Sequence, residues 1–233
     1  MASTDPAAVL FDLDDTLCRY RRSAGEVLTV AFERVGVEPL FEPTAYYDRY
    51  DEYLASSADI HELRAQCFGD LAAETGHDRA MGVAVAQAFA EERDQRAVDP
   101  LPGVPLVLEE LCERYRLGLV TNGDPAMQRR KLEGLGLEDR FDTLVFAGYE
   151  TAPKPDAKPF SIALEALSTP PERACHVGNS LSSDVAGARR AGIRSVWVPD
   201  EPPSRDAGRT PTPDAVLESL EGFDPGRLFD ELR

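Results

Sequence analysis

Asp12 and Asp14 stand two residues apart at the end of an apolar run, in the stretch Phe11-Asp12-Leu13-Asp14-Asp15-Thr16. Side chains two apart on a strand point to the same side, so both carboxylates can share one site. Carboxylates that close repel one another, so together they must hold a cation or carry protons. Taken alone, the triplet Asp12–Asp14–Asp15 also reads as a solvated acidic turn or a helix cap. A calcium loop counted from Asp12 fails, because Leu17 falls where its glycine belongs and Ser23 where its glutamate belongs.

Three later stretches add compatible groups. Val120-Thr121-Asn122-Gly123-Asp124-Pro125 ends an apolar run and opens a helical pattern. The Thr121 hydroxyl and free backbone N–H groups at Asn122 and Gly123 would cradle an anion at the positive end of that helix. An Asn-Gly turn with an Asp cap is the equally good reading of this stretch by itself. Pro153-Lys154-Pro155-Asp156 places a lysine just after another apolar run, and by itself this is a surface lysine. Val177-Gly178-Asn179-Ser180-Leu181-Ser182-Ser183-Asp184 puts oxygen ligands on a loop after a fourth run. His176 lies within that run and reads as a core histidine.

Positioning these groups needs strands that end together. The runs Val9–Leu13, Leu117–Thr121, Leu144–Ala147, Cys175–Gly178 and Val196–Pro199 lack polar alternation, as expected for a sheet covered on both faces. Helical patterns fit between them at Val104–Arg114, Pro125–Leu135, Pro159–Leu167 and Ser183–Ala191, with Gly136 and Gly192 where C-terminal caps belong. The alternation predicts an α/β, doubly wound Rossmann-like parallel sheet, whose ligands bind beyond the strands' carboxyl ends. The segment from Cys18 to Val98 breaks the rhythm. It reads as helices near Ala24–Val35, Thr44–Ser56, Asp59–Glu74 and His77–Arg96, an inserted bundle over the strand ends. The expected organisation is thus a core of residues 1–17 and 99–233 with a helical insertion over 18–98. Pro202–Pro213 reads as a loop, and Ala215–Leu220 as a last edge strand.

The four stretches, in this order and spacing, resemble the four motifs of the haloacid dehalogenase superfamily. The resemblance covers residues 8–17 and 99–200, and the helical insertion resembles that superfamily's alpha-helical cap placed after the first motif. The resemblance implies Mg²⁺-dependent hydrolysis of a small organic phosphate monoester through an aspartyl-phosphate. It makes Asp12 the nucleophile and Asp14 the general acid and base, with Thr121 bonding the phosphoryl group and Lys154 neutralising it. The implied metal site is Asp12, the Asp14 backbone carbonyl, Asn179 and Asp184. Adjacent carboxylates are expected to raise the pKa of Asp14, readying it to protonate the leaving oxygen and then to activate water.

The fourth motif usually begins Gly-Asp, and here it is Gly178-Asn179, which predicts weaker metal binding because an amide oxygen brings no charge. Alternative activities are a phosphomutase of the β-phosphoglucomutase kind, a 2-haloacid dehalogenase-like hydrolase, and a catalytically weak phosphate-binding relative. Asp14 favours phosphate chemistry over dehalogenation. The helical insertion holds no lysine for Schiff-base phosphonate cleavage, and Cys18–Ser57 holds no histidine of the kind sugar-phosphate mutases carry. Its Tyr20, Tyr46, Tyr47, Tyr50 and Tyr53, with Arg19, Arg21 and Arg22, are the expected substrate contacts.

Composition limits the partners. A formal net charge of −17 argues against nucleic acid and anionic membrane surfaces. Only Lys131, Lys154 and Lys158 among the 25 basic residues are lysines. Such an acidic, lysine-poor chain resembles proteins of salt-loving organisms, where a Debye length of roughly 3 Å at 1 M salt screens self-repulsion. Four scattered cysteines without a CxxC pair read as reduced, which fits a cytoplasmic protein. No apolar run approaches the roughly 20 residues of a membrane span, and the first residues lack a secretion pattern. Cys18 borders the expected pocket but has no neighbour that would make it a nucleophile. Substrate identity and oligomeric state are not encoded in any recognisable pattern.

Overall fold

The structure, a computed structural model, describes residues 5–54, 56–200 and 211–231. In chain order, β1 (Ala8–Phe11) and β2 (Cys18–Tyr20) precede five helices: α1 (Ala24–Val35), α2 (Pro43–Tyr47), α3 (Tyr50–Leu54), α4 (Ile60–Glu74) and α5 (Arg79–Glu92). Then strands and helices alternate: β3 (Val98–Pro100), α6 (Val104–Cys112), β4 (Arg116–Asn122), α7 (Pro125–Leu135), β5 (Thr143–Ala147), α8 (Lys158–Ala166) and β6 (Ala174–Gly178). A π-helical turn (Leu181–Val185), α9 (Ala186–Arg190), β7 (Arg194–Trp197), β8 (Ala215–Val216) and α10 (Pro225–Glu231) complete the described chain. The chain divides into two compact units, Met1–Arg19 with Val98–Arg233, and Tyr20–Ala97.

The first unit is an α/β fold on a six-stranded sheet of order β5-β4-β1-β6-β7-β8, every adjacent pair parallel. From β1 the order runs outward to β4 and β5, then returns to β6 on the other side, so β1 lies at the reversal. Open α/β sheets bind ligands at such a reversal, beyond the carboxyl ends of the strands. All four residues of β1 are fully buried, as strands covered on both faces must be. On one face Leu10, Val120 and Val145 pack with Phe160, Ala163 and Leu164 of α8 and Ala188 of α9. The alternate residues Val9, Phe11, Leu117 and Leu119 are equally buried. α7 begins at Asp124, whose carboxylate accepts the Met127 N–H, and ends at Gly136 in the left-handed region, as its sequence requires.

The second unit is helical. Its core gathers around Phe68, which meets Phe41, Tyr46 and Phe89 in edge-to-face pairs at 4.9, 5.2 and 5.8 Å. α1 starts on a capping box between Ser23 and Glu26.

Several expectations need correction. The chain from Cys18 to Val98 is not helical throughout: β2 and β3 at its two ends pair as a separate two-stranded sheet. One helix over Thr44–Ser56 is instead the two short helices α2 and α3. The helix over Ser183–Ala191 begins as the π-helical turn, whose wider spacing lets Ser180 and Asp184 bond to each other. The last strand covers only two residues, and residues 202–210 of the Pro202–Pro213 loop lie outside the described residues. No helix among the described residues is long and apolar enough to cross a membrane.

Candidate active site

Every residue singled out in the four motifs follows the carboxyl end of a core strand or lies in its last two residues. Asp12 extends β1 by one rung, its N–H donating to Val177 O at 2.9 Å. Its Oδ1 accepts from Lys154 Nζ at 2.7 Å, and its Oδ2 from the Thr16 hydroxyl at 3.3 Å. Lys154 follows β5, and its ammonium also donates to Asp184 Oδ1 at 2.6 Å and Val120 O at 2.8 Å. All three of its donors are therefore engaged. Asn122 fixes the lysine from behind: its amide donates to Lys154 O at 3.1 Å and accepts from Lys154 N–H at 2.8 Å.

Asp184 is held from three sides. Besides Lys154, His176 Nε2 lies 2.9 Å from Oδ1, and the Ser180 N–H donates to Oδ2 at 3.0 Å. A Cβ at Gly178 would stand 2.3 Å from Asp184 Cγ, so only glycine lets this carboxylate lie against the end of β6. Burial pushes the His176 ring below its usual range despite Asp184, so it serves as a neutral N–H donor. The expected core histidine is buried, but it also orients a site carboxylate.

Two carboxylates sharing one buried ammonium titrate unequally. Burial, opposed by Lys154 but reinforced by Asp184 and Asp14, pushes Asp12 up to about 7. Asp184 is raised by the same burial, yet the Lys154 charge and the hydrogen bonds from His176 and Lys154 hold it well below the ordinary range. Burial also works against the Lys154 ammonium, and its two carboxylates more than restore it.

Asp14 departs from expectation. Its carboxylate is turned to Lys131, whose Nζ lies 2.6 and 2.7 Å from the two oxygens, while Gln128 Nε2 donates to Oδ2 at 2.9 Å. Burial raises this carboxyl, but the Lys131 charge and the two donors outweigh it and leave Asp14 below its ordinary value. The predicted upward shift is thus reversed, because a cation rather than a second carboxylate is its nearest partner. Gln128 Nε2 also donates to Thr121 Oγ1 at 3.0 Å and to Asn122 O at 3.2 Å.

Two further differences concern phosphate and metal. The Gly123 N–H is not free, since it donates to Ala147 O at 3.2 Å, and the Asn122 side chain is committed to Lys154. Asn179 does not join the bonded cluster: its Nδ2 donates to Asp200 at 3.2 Å and its backbone carbonyl accepts the Trp197 indole N–H at 2.7 Å. Among the described residues, no three His, Cys, Asp or Glu side chains gather as a metal-holding group. The donor chemistry nevertheless suits magnesium, a hard cation that takes oxygen ligands and keeps several waters. Asp12 Oδ1 and Asp184 Oδ1 already converge within 2.7 Å of a single positive charge.

Gln128 and Lys131 are not among the residues singled out in the sequence, although a signal exists. They lie three apart on one face of α7, beside Leu132, and all three are buried. A lysine on the inward face of a helix needs a partner, and lysine is scarce in this chain.

The model of the haloacid dehalogenase-like hydrolases matches residues 6–192. The chain belongs to this family. It is therefore a hydrolase, an enzyme. Phosphoserine phosphatase of Thermus thermophilus is 33% identical over 221 residues, covering 82% of this chain and 87% of that one. Glyceraldehyde 3-phosphate phosphatase of Methanopyrus kandleri is 31% identical over 196 residues, covering 82% and 83%. The solved 2-haloacid dehalogenase of Pseudomonas syringae pv. tomato superposes with a TM-score of 0.68 at 27% identity, covering 98% of this chain and 100% of that one.

The remaining family expectations meet a mixed outcome in the helical unit. Tyr46 is buried in the aromatic core, where the Arg64 Nε–H donates to its hydroxyl at 3.3 Å, which removes it from the substrate contacts. Tyr53 donates to Asp70 at 2.8 Å, Tyr20 bonds Gln95, and Tyr47 is exposed. All four cysteines are free thiols. Cys18 is buried, and burial together with the neighbouring Asp14 raises its thiol far above the usual range, which keeps it unreactive.

Proposed function

We propose that this hydrolase cleaves small organic phosphate monoesters by way of an aspartyl-phosphate on Asp12. The observation that carries the reading is the Lys154 ammonium joining Asp12 and Asp184, groups that follow three different strands. It gives an attacking carboxylate and a fixed positive charge at one point, as attack on an anionic phosphate requires. Two relatives are named for phosphatases acting on different small esters, which supports the reaction class and leaves the substrate open.

In this reading Asp12 Oδ attacks phosphorus and the bond to the leaving oxygen breaks. Asp14, ionised at rest beside Lys131, takes up a proton as the ester binds, gives it to that oxygen, then takes one from the water that hydrolyses the aspartyl-phosphate, releasing inorganic phosphate. Thr121 donates to the phosphoryl oxygens and Lys154 offsets their charge. Magnesium would be held by Asp12, Asp184, the Asn179 amide oxygen and the Asp14 carbonyl, supplying charge that favours ionised carboxylate and bound phosphate. The helical unit Tyr20–Ala97 is assigned the part of a cap that selects the substrate.

Phosphate release from a panel of phosphorylated small metabolites in high salt, with and without Mg²⁺, tests the reading. Release that depends on Mg²⁺ is expected, and no release from any ester would refute it. A phosphomutase would instead return the phosphoryl group to an organic acceptor. Asn179→Asp is expected to tighten Mg²⁺ binding about tenfold by adding a charge to the ligand set. It also sets two carboxylates, 179 and 200, across the present 3.2 Å contact, so the metal-free protein should melt lower. Thermal melting followed through a Mg²⁺ titration measures both, and unchanged affinity would remove Asn179 from the ligand set.

A further inference from the structure

We infer that Lys131 and Gln128 are positioning residues that hold the Asp14 carboxylate in register with the phosphoryl-binding hydroxyl of Thr121. The inference rests on the phosphatase reading above and adds to it two residues of α7 that none of the four motifs contains.

The arrangement is built rather than incidental. Lys131 is 3% exposed, Gln128 is 1% exposed, and three donor contacts fall on the one carboxylate of Asp14. A single amide nitrogen, Gln128 Nε2, lies within hydrogen-bond distance of both Asp14 Oδ2 and Thr121 Oγ1. The proton carrier and the phosphoryl pocket are thereby referred to the same atom. Two features show what this placement costs. Gln128 Oε1 is left buried without a hydrogen-bond partner, a state most native side chains avoid. Gly123 takes φ +150°, and a Cβ there would stand 2.7 Å from Gln128 Nε2, so the turn leaves room for the amide.

The consequence for the reaction is specific. A proton moves efficiently only between atoms held within about 2.6–3.2 Å, so a carboxylate free to rotate would protonate the leaving oxygen less often. The proton that reaches the leaving group comes from Asp14, which takes it up as the ester binds. Loss of either donor should therefore harm esters in proportion to their need for that proton. Nitrophenolate leaves without one, whereas phenolate is a poorer leaving group and gains from protonation.

The test compares kcat/KM for p-nitrophenyl phosphate and phenyl phosphate in the unmodified protein, Lys131→Met and Gln128→Leu. In each variant the ratio of the first to the second is expected to rise about tenfold, part of the factor general acid catalysis supplies. Lys131→Arg, which keeps a cationic donor, should recover part of the shift. The ratio does not depend on the fraction of enzyme folded, so a destabilised variant still answers the question. Equal losses on both esters, leaving the ratio unchanged, would reduce the pair to a structural role and overturn the inference alone. An unmodified protein that releases phosphate from neither of these esters nor any member of the metabolite panel would overturn the phosphatase reading and this inference with it.

Discussion

Asp12→Asn is expected to lower kcat/KM for p-nitrophenyl phosphate by at least about 10⁴-fold, as loss of a nucleophile does in other covalent mechanisms. The substitution changes little else. Asparagine has the same shape, can still accept from the Lys154 ammonium through its amide oxygen, and occupies a buried site where its extra N–H₂ meets Thr16. Stability should thus change far less than activity. The covalent prediction can be checked directly: borohydride trapping followed by mass spectrometry should mark Asp12 in the unmodified protein and no residue in Asp12→Asn. Activity surviving the substitution would remove Asp12 as nucleophile, and a mark on another carboxylate would say which residue replaces it.

Lys154→Met should damage both activity and fold. Removing a preorganised cation that faces transferring charge costs on the order of 10²–10³ in rate. The stability loss is expected to reach about 3–5 kcal/mol, because a buried ion pair loses one partner and leaves charge uncompensated. Here two carboxylates lose the same partner, Asp12 at 2.7 Å and Asp184 at 2.6 Å, and then repel one another. Val120 O loses a donor as well. Urea unfolding of Lys154→Met, Asp184→Asn and the double variant separates these effects. Asp184→Asn alone should destabilise, whereas in the Lys154→Met background it should recover stability by relieving the repulsion. Additive losses in the double variant would mean that Lys154 and Asp184 do not act as a pair.

Of the two buried lysines, one is legible in the sequence and the other is not. Lys154 lies in a short stretch after a strand, and its place in order with the other three stretches identifies a family motif. Lys131 lies seven residues into α7, and its role depends on the rotation of that helix against the sheet. Helix periodicity puts Gln128, Lys131 and Leu132 on one face, but no local rule says that this face meets Asp14. The pKa of Asp14 is misread from sequence for the same reason: its sequence neighbours are carboxylates, and its spatial neighbours are an ammonium and an amide. His176 shows a milder form of this. Its burial in β6 is legible from the apolar run around it, while its bond to Asp184 requires the π-helical turn to carry residue 184 back over the strand end.

Chemistry written in adjacent residues was therefore determined by the sequence alone: the alternating strands and helices, the parallel sheet, the four motifs at strand ends, and Asp12 and Lys154 as the proposed reacting centre. Strand ends in a parallel sheet lie on one edge whatever the details of packing, so order along the chain carries that much. Tertiary structure decided what depends on distances between remote elements. It turned Asp14 to Lys131 and Gln128, took the Gly123 N–H for β5, drew Asn179 to Asp200, and buried Tyr46 among the aromatic rings of the helical unit. The physical reason is range. Propensity and pattern act over a few residues, whereas the partner that sets a buried side chain's charge and direction can be more than a hundred residues away, as Lys131 is from Asp14.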